Sequence, residues 1–164
     1  MSILDWKVLY VKPRCEKKTA AFCESYGIPY YLPTSLKTRI IQRRKVNVDL
    51  PLFPGYVFAE FTMDSRLRLL QTNQLVRILV PDRPLQLARQ LVMVRKALTA
   101  NPMLTAEPPL EAGMNVRVID GPMMGIIGTV ERLTSKLRVV VNIEMIGQAV
   151  SMTVARNQVV VLSD

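Results

Sequence analysis

The sequence contains no histidine, and only two of its 164 residues are cysteine. Without histidine, the side chain that most often serves as general base or metal ligand is missing, and nucleophilic catalysis of the Ser-His or Cys-His type is excluded. Cys15 and Cys23 fall in one helically patterned segment, where eight residues of rise hold them roughly 12 Å apart, too far for a disulfide. No closely spaced cysteine pair exists to bind structural zinc, so both read as small buried or half-buried thiols. A glycine loop that could cradle phosphates is also missing, as is any conspicuous pair of carboxylates. An enzyme is therefore not expected, and no cofactor or metal is implied. Apolar runs are short as well: none approaches the roughly 18 residues that cross a bilayer. Met1-Ser2-Ile3-Leu4-Asp5 lacks the basic and long apolar regions of a signal peptide, which gives the expectation of a cytoplasmic protein with no membrane partner.

What is present is a globular composition, 49% hydrophobic, with a formal net charge of +9. This suffices for one medium domain or two small ones. The charge is uneven. Residues 1–100 hold 17 Lys and Arg against 7 Asp and Glu, a net of +10, whereas residues 101–164 hold 5 against 6, a net of −1. Attraction to nucleic acid thus resides in the first hundred residues.

The most informative stretch is Pro51-Leu52-Phe53-Pro54-Gly55-Tyr56-Val57-Phe58-Ala59-Glu60-Phe61. Two prolines and a glycine precede an alternating apolar run, the pattern of a tight turn leading into a central strand. Parity puts Tyr56, Phe58 and Glu60 on one face and Val57, Ala59 and Phe61 on the other. The second set reads as core. The first is either covered by a helix or left open as an aromatic docking face.

Along the chain, residues 5–11 read as a strand and residues 14–26 as a helix opened by Pro13 and closed by Gly27. Residues 28–33 read as a short edge strand bounded by prolines. Residues 36–49 form a β-hairpin arm with its turn near Gln42–Lys45, carrying five basic residues and one acidic one. Asp64 is the expected N-cap of a helix to about Leu70, followed by a strand over 75–80. A further helix runs from Pro84 to about Ala100, with Leu85, Ala88, Leu91, Val92 and Arg95 on one stripe. This order is that of a ferredoxin-like α/β domain with an inserted hairpin, one sheet face covered by helices and the other open. Residues 101–112, with three prolines and no periodicity, read as a linker. From residue 113 onward, short alternating strands separated by glycines describe a small all-β barrel. The fold class expected is α+β, divided as 1–100, 101–112 and 113–164.

Gly113-Met114-Asn115-Val116-Arg117-Val118-Ile119-Asp120-Gly121-Pro122, with Gly125 and Gly128-Thr129-Val130-Glu131, resembles a KOW motif. Joined to Trp6, Pro33, the basic hairpin and Pro51–Phe58, it makes nearly the whole chain resemble the bacterial NusG family of transcription elongation factors, and more closely its specialised RfaH- and UpxY-type paralogues. The resemblance implies an N-terminal domain whose aromatic sheet face docks on the clamp helices of RNA polymerase near the upstream DNA fork, and a C-terminal KOW (SH3-like) barrel that recruits partners. Carried to this sequence, the polymerase-facing positions are Tyr10, Tyr56, Phe58, Val8 and Ile78. The DNA-facing positions, toward the non-template strand or upstream DNA, are Lys12 and Arg14 together with Arg43, Arg44 and Lys45. The partner-binding positions of the barrel are Met123, Met124, Ile127, Ile146 and Gln148.

The barrel loops carry methionine and isoleucine where Rho-binding members of the family tend to carry phenylalanine, and Ile146-Gly147-Gln148 replaces the usual Phe-Gly-Arg turn. These departures weigh against Rho and weaken, while leaving open, a small-subunit ribosomal protein as a partner. The resulting expectation is a monomeric antiterminator that suppresses pausing or termination. The alternatives are a general NusG that recruits Rho, and a ribosome- or RNA-associated KOW protein, which would concentrate its basic residues in the barrel. The Val-rich period-2 pattern favours a barrel over a helical hairpin in the C-terminal part.

Overall fold

A computed structural model describes residues 6–106, 113, 115–132 and 137–162. In chain order the elements are β1 (Trp6–Val11), α1 (Glu16–Ser25), β2 (Tyr30–Tyr31), β3 (Thr34–Ile41), β4 (Arg44–Pro51), β5 (Tyr56–Glu60), α2 (Met63–Gln71), β6 (Leu75–Leu79), α3 (Pro84–Ala100), β7 (Asn115–Val118), β8 (Ile127–Arg132), β9 (Leu137–Ile143), β10 (Gln148–Val154) and β11 (Val159–Val161). The fold is α+β, as expected. The chain forms two compact units, Met1–Thr34 with Pro51–Ala88, and Ser35–Leu50 with Arg89–Asp164.

The first unit is built on an antiparallel sheet of order β2-β5-β1-β6. Register pairs Trp6 with Glu60, Val8 with Phe58 and Tyr10 with Tyr56 across β1 and β5, and Val8 with Leu79, Leu9 with Ile78 and Tyr10 with Arg77 across β1 and β6. Paired residues share a face. On one face, Leu9, Val11, Val57, Ala59 and Phe61 pack with Cys23 of α1 and Leu69 of α2. The end of α1 explains part of that packing. Gly27, at φ +66°, lets the Gly27 amide donate to the Glu24 carbonyl and the Ile28 amide donate to the Cys23 carbonyl, a double closure that turns buried Ile28 back into the core.

The other face is not open over its whole length. Val8 and Phe58 are fully buried, and the Phe53 ring meets Phe58 edge-on at 6.5 Å between centroids. The proline-glycine turn causes this. The Tyr56 amide donates to the Phe53 carbonyl, Pro54 and Gly55 take the two central positions, and Gly55 has φ +91°, the requirement of a type II turn. The turn folds Phe53 back onto the strand that follows. Two local expectations also shift. The N-cap of α2 is Thr62, which makes no side-chain capping bond, and Asp64 sits in the first turn, where its charge favours the helix dipole. In α3 the buried positions are Leu87, Leu91, Val94 and Ala97, while Leu85 and Val92 of the expected stripe are exposed.

In the second unit, β3 and β4 form a two-stranded arm, and β7–β11 form an antiparallel sheet of order β10-β9-β8-β7-β11. Its core is aliphatic: Val116, Val118, Ile126, Val139, Val141, Ile143, Val150, Met152 and Val154 are buried. Gly128 fits this sheet because a β-carbon there would collide with the Val140 carbonyl of the neighbouring strand. The chain after α3 is tied down rather than free. The Pro102 carbonyl accepts from the Leu36 amide at the base of the arm, the Asn101 side chain accepts from the Met103 amide, and Leu104 is buried. The remainder of the expected linker, residues 107–112, lies outside the described residues.

Candidate docking site

β5 and β1 deliver two tyrosines to one solvent-reaching end of the Val8–Phe58 face. The Tyr10 and Tyr56 rings lie 5.3 Å apart between centroids, tilted by 32°. Tyr10 is 39% exposed and Tyr56 is half-buried, so the pair offers a rigid aromatic surface with two phenolic hydroxyls. The backbone beneath is fixed by the Val11 amide, which donates to the Gly55 carbonyl at 2.8 Å. On the far side of Tyr10, the directly paired position on β6 holds exposed Arg77. Three strands thus contribute one row, Tyr56, Tyr10 and Arg77, in which two amphipathic rings end in a guanidinium. Such a row suits an apolar ridge flanked by acidic or carbonyl groups.

Of the five residues expected to face the polymerase, this arrangement brings Tyr10 and Tyr56 together at the surface. Phe58 and Val8 lie on the same face as the next pair along the sheet but are completely buried, so they belong to the core beside the tyrosines. Ile78 is a correction: it pairs with Leu9 and packs against the core on the helix-covered face. Arg77 was not anticipated. Its signal is a lone charge inside Leu75-Val76-Arg77-Ile78-Leu79, an otherwise aliphatic strand.

The basic candidates divide into two groups. Lys12 and Arg14 are exposed in the turn that leads from β1 to α1, where the Lys12 carbonyl accepts from the Cys15 amide, and Arg14 has φ +63°. The Lys12 ammonium donates to the Asn73 side chain at 3.2 Å. Arg43, Arg44 and Lys45 are exposed at the tip of the β3–β4 arm.

In the β7–β11 sheet, the β7–β8 and β9–β10 connections emerge at the same end of the meander, so its partner-binding candidates converge there. Met124 is 63% exposed, Ile127 is 37% exposed, and Met123 and Gln148 are half-buried. Ile146 is a correction: at 8% exposure it belongs to the core, in a short 3₁₀ turn ended by Gly147 at φ +61°. The Ile127 amide donates to the sulfur of Met93 in the second half of α3, within the same unit.

Among the described residues, no cluster of His, Cys, Asp and Glu could hold a metal ion, and no helix is long and apolar enough to cross a membrane. The buried Cys23 thiol is pushed up to about 11 by loss of solvent. The Tyr30 hydroxyl donates to Glu24, which raises its pKa, with burial and the Glu24 charge acting in the same direction.

The sequence matches the family model described as transcription termination factor NusG over residues 4–96, more than half of the chain. No curated protein matches it. Among solved structures, the chain is similar to one titled "Domain interaction in Thermotoga maritima NusG", with 18% identity, 94% of this chain and 95% of that chain covered, and a TM-score of 0.46. It is also similar to the MjSpt4:Spt5 complex in conformation B, with 15% identity, 97% of each chain covered and a TM-score of 0.28. On the family match, this chain belongs to the NusG family of transcription factors.

Proposed function

We propose that this protein is an elongation factor of the antiterminator kind, which binds RNA polymerase at the clamp helices beside the upstream DNA fork and suppresses pausing or termination. The observation that carries the reading is the Tyr10–Tyr56 ring pair, which reaches solvent beside the fully buried Val8 and Phe58 of the same sheet face. Aromatic anchors set beside a buried core are what a desolvated protein interface uses. Residues 1–100 act as the polymerase-binding domain, 101–112 as the linker and 113–164 as the KOW domain. Lys12, Arg14 and the tip residues Arg43, Arg44 and Lys45 face non-template or upstream DNA, in keeping with the net charge of +10 on the first hundred residues. The protein works in the cytoplasm as a monomer and has no catalytic activity.

Antitermination rather than termination is supported by the barrel end. Its exposed apolar residues, Ile119, Met124 and Ile127, are not aromatic, and no phenylalanine lies anywhere in residues 113–164. A factor that occupies the polymerase without holding Rho excludes the competitor that would recruit it. The KOW end remains available to a ribosomal protein of the small subunit. The reading is tested by transcription with purified polymerase, Rho and a general NusG, where added protein increases readthrough of a Rho-dependent terminator. Reduced readthrough, or Rho binding by this protein as tight as that of the general factor, overturns it.

A further inference from the structure

The arm formed by β3 and β4 has two unequal faces, and the inequality is not at its tip. A two-residue turn, Gln42-Arg43, joins the strands, with φ +50° and +65°, conformations that side chains other than Gly and Asn rarely adopt. The turn sets Ile41 opposite Arg44, and the Thr38 hydroxyl, which donates to the Asn47 side chain at 3.0 Å, keeps the same register further down. Alternation then places Lys37, Arg39 and Ile41 with Arg44, Val46 and Val48 on one face. Leu36, Thr38 and Ile40 fall with Lys45, Asn47 and Asp49 on the other. The first face holds three cations and no acid. The second holds one of each.

We propose that the Lys37–Arg39–Arg44 face of this arm tracks the backbone of duplex DNA. The proposal rests on the reading above that the arm meets DNA and narrows it: of the three tip residues only Arg44 belongs to the contacting face, with Arg43 in the turn and Lys45 on the opposite face, and the DNA bound is duplex. Each cation stands opposite an aliphatic residue, Lys37 opposite Val48, Arg39 opposite Val46 and Arg44 opposite Ile41. No two positive charges are directly opposed, and the methylene stems have apolar surface beside them. Ile41 and Val46 are 50% and 40% exposed, so the face is presented to solvent rather than folded away.

This face offers donors and no acceptor side chain, which matches a surface made only of acceptors and fits a phosphate backbone better than the mixed charges of a protein. It also lacks any aromatic on which an unpaired base could stack, which favours duplex over single strand. A two-stranded ribbon is narrow enough for the roughly 12 Å major groove.

The test is fluorescence anisotropy of the full chain on a labelled mixed-sequence duplex, read as a function of salt. Two variants remove equal charge, R39Q/R44Q from the face and R43Q/K45Q from the turn and the opposite face, with circular dichroism to verify that both fold. At roughly 0.9 per phosphate contact, R39Q/R44Q lowers the log–log salt slope by about 1.8, while R43Q/K45Q changes it much less. Equal loss in both variants overturns the facial assignment but leaves DNA contact by the arm intact. No loss in either overturns both. Unchanged duplex binding with weakened binding of R39Q/R44Q to DNA-free polymerase assigns the face to an acidic protein surface and overturns the proposal, as does a preference for an oligothymidine strand over the duplex.

Discussion

A β-carbon on Gly55 would sit 3.2 Å from the edge of the Tyr10 ring, so the turn before β5 and the exposed tyrosine of β1 are fitted to each other. Glycine is required there twice, for the φ of +91° and for the approach of the ring. Gly55→Ala is expected to cost about 1–3 kcal/mol through backbone strain and to displace Tyr10 from Tyr56. Urea denaturation reads the first effect and polymerase affinity the second. Unchanged affinity would mean that the placement of Tyr10 is irrelevant to docking.

Phe58 behaves differently from the tyrosines beside it. Fully buried and met edge-on by Phe53, it is a core residue, and Phe58→Ala is expected to lose about 3–5 kcal/mol of folding stability. Chemical denaturation measures this directly. A loss below about 1 kcal/mol would show that the face is open, as alternation alone had allowed.

That contrast marks how far the sequence could be read. The alternation in Tyr56–Phe61 was legible, and so were Gly27, the edge position of Tyr30–Tyr31 and the five strands of the C-terminal part, because each follows from local geometry. What covers a sheet face was not legible. It depends on Phe53 being folded back by the turn after it, so a residue outside the strand decides the burial of one within it. Ile78 was carried over from the family resemblance, and the pattern offered no check on it: in Leu75-Val76-Arg77-Ile78-Leu79 both parities are aliphatic, so hydrophobicity does not fix which set faces the core. There is also a register shift in the pairing of β1 with β6 between Tyr10 and Val11. Arg77 is the one residue in that strand able to break the tie.

The cysteines make a chemical prediction. Cys23 is buried with its pKa raised to about 11, whereas Cys15 is half-buried at the start of α1. A thiol alkylating reagent applied to the native protein near pH 8 should therefore label Cys15 and spare Cys23. The shift also bears on stability. Between the ordinary value of 9.0 and about 11, the unfolded chain releases the Cys23 proton while the folded one retains it, so stability is intact below pH 9 and declines above it. In Cys23→Ala that part of the alkaline decline should disappear. Labelling of both cysteines at equal rates in the folded protein would contradict the burial.

The central claim is that the Tyr10–Tyr56 pair is the anchor for RNA polymerase, and the most direct measurement is the affinity of the full chain for core polymerase with and without the two rings. Truncating an aromatic anchor in a desolvated interface costs about 2 kcal/mol or more, which is more than tenfold in affinity. Tyr10→Ala and Tyr56→Ala should each weaken binding by at least that factor with little change in urea midpoint, since Tyr10 is 39% exposed and Tyr56 is half-buried. Affinity equal to that of the unmodified chain, in variants shown to be folded, would contradict the account.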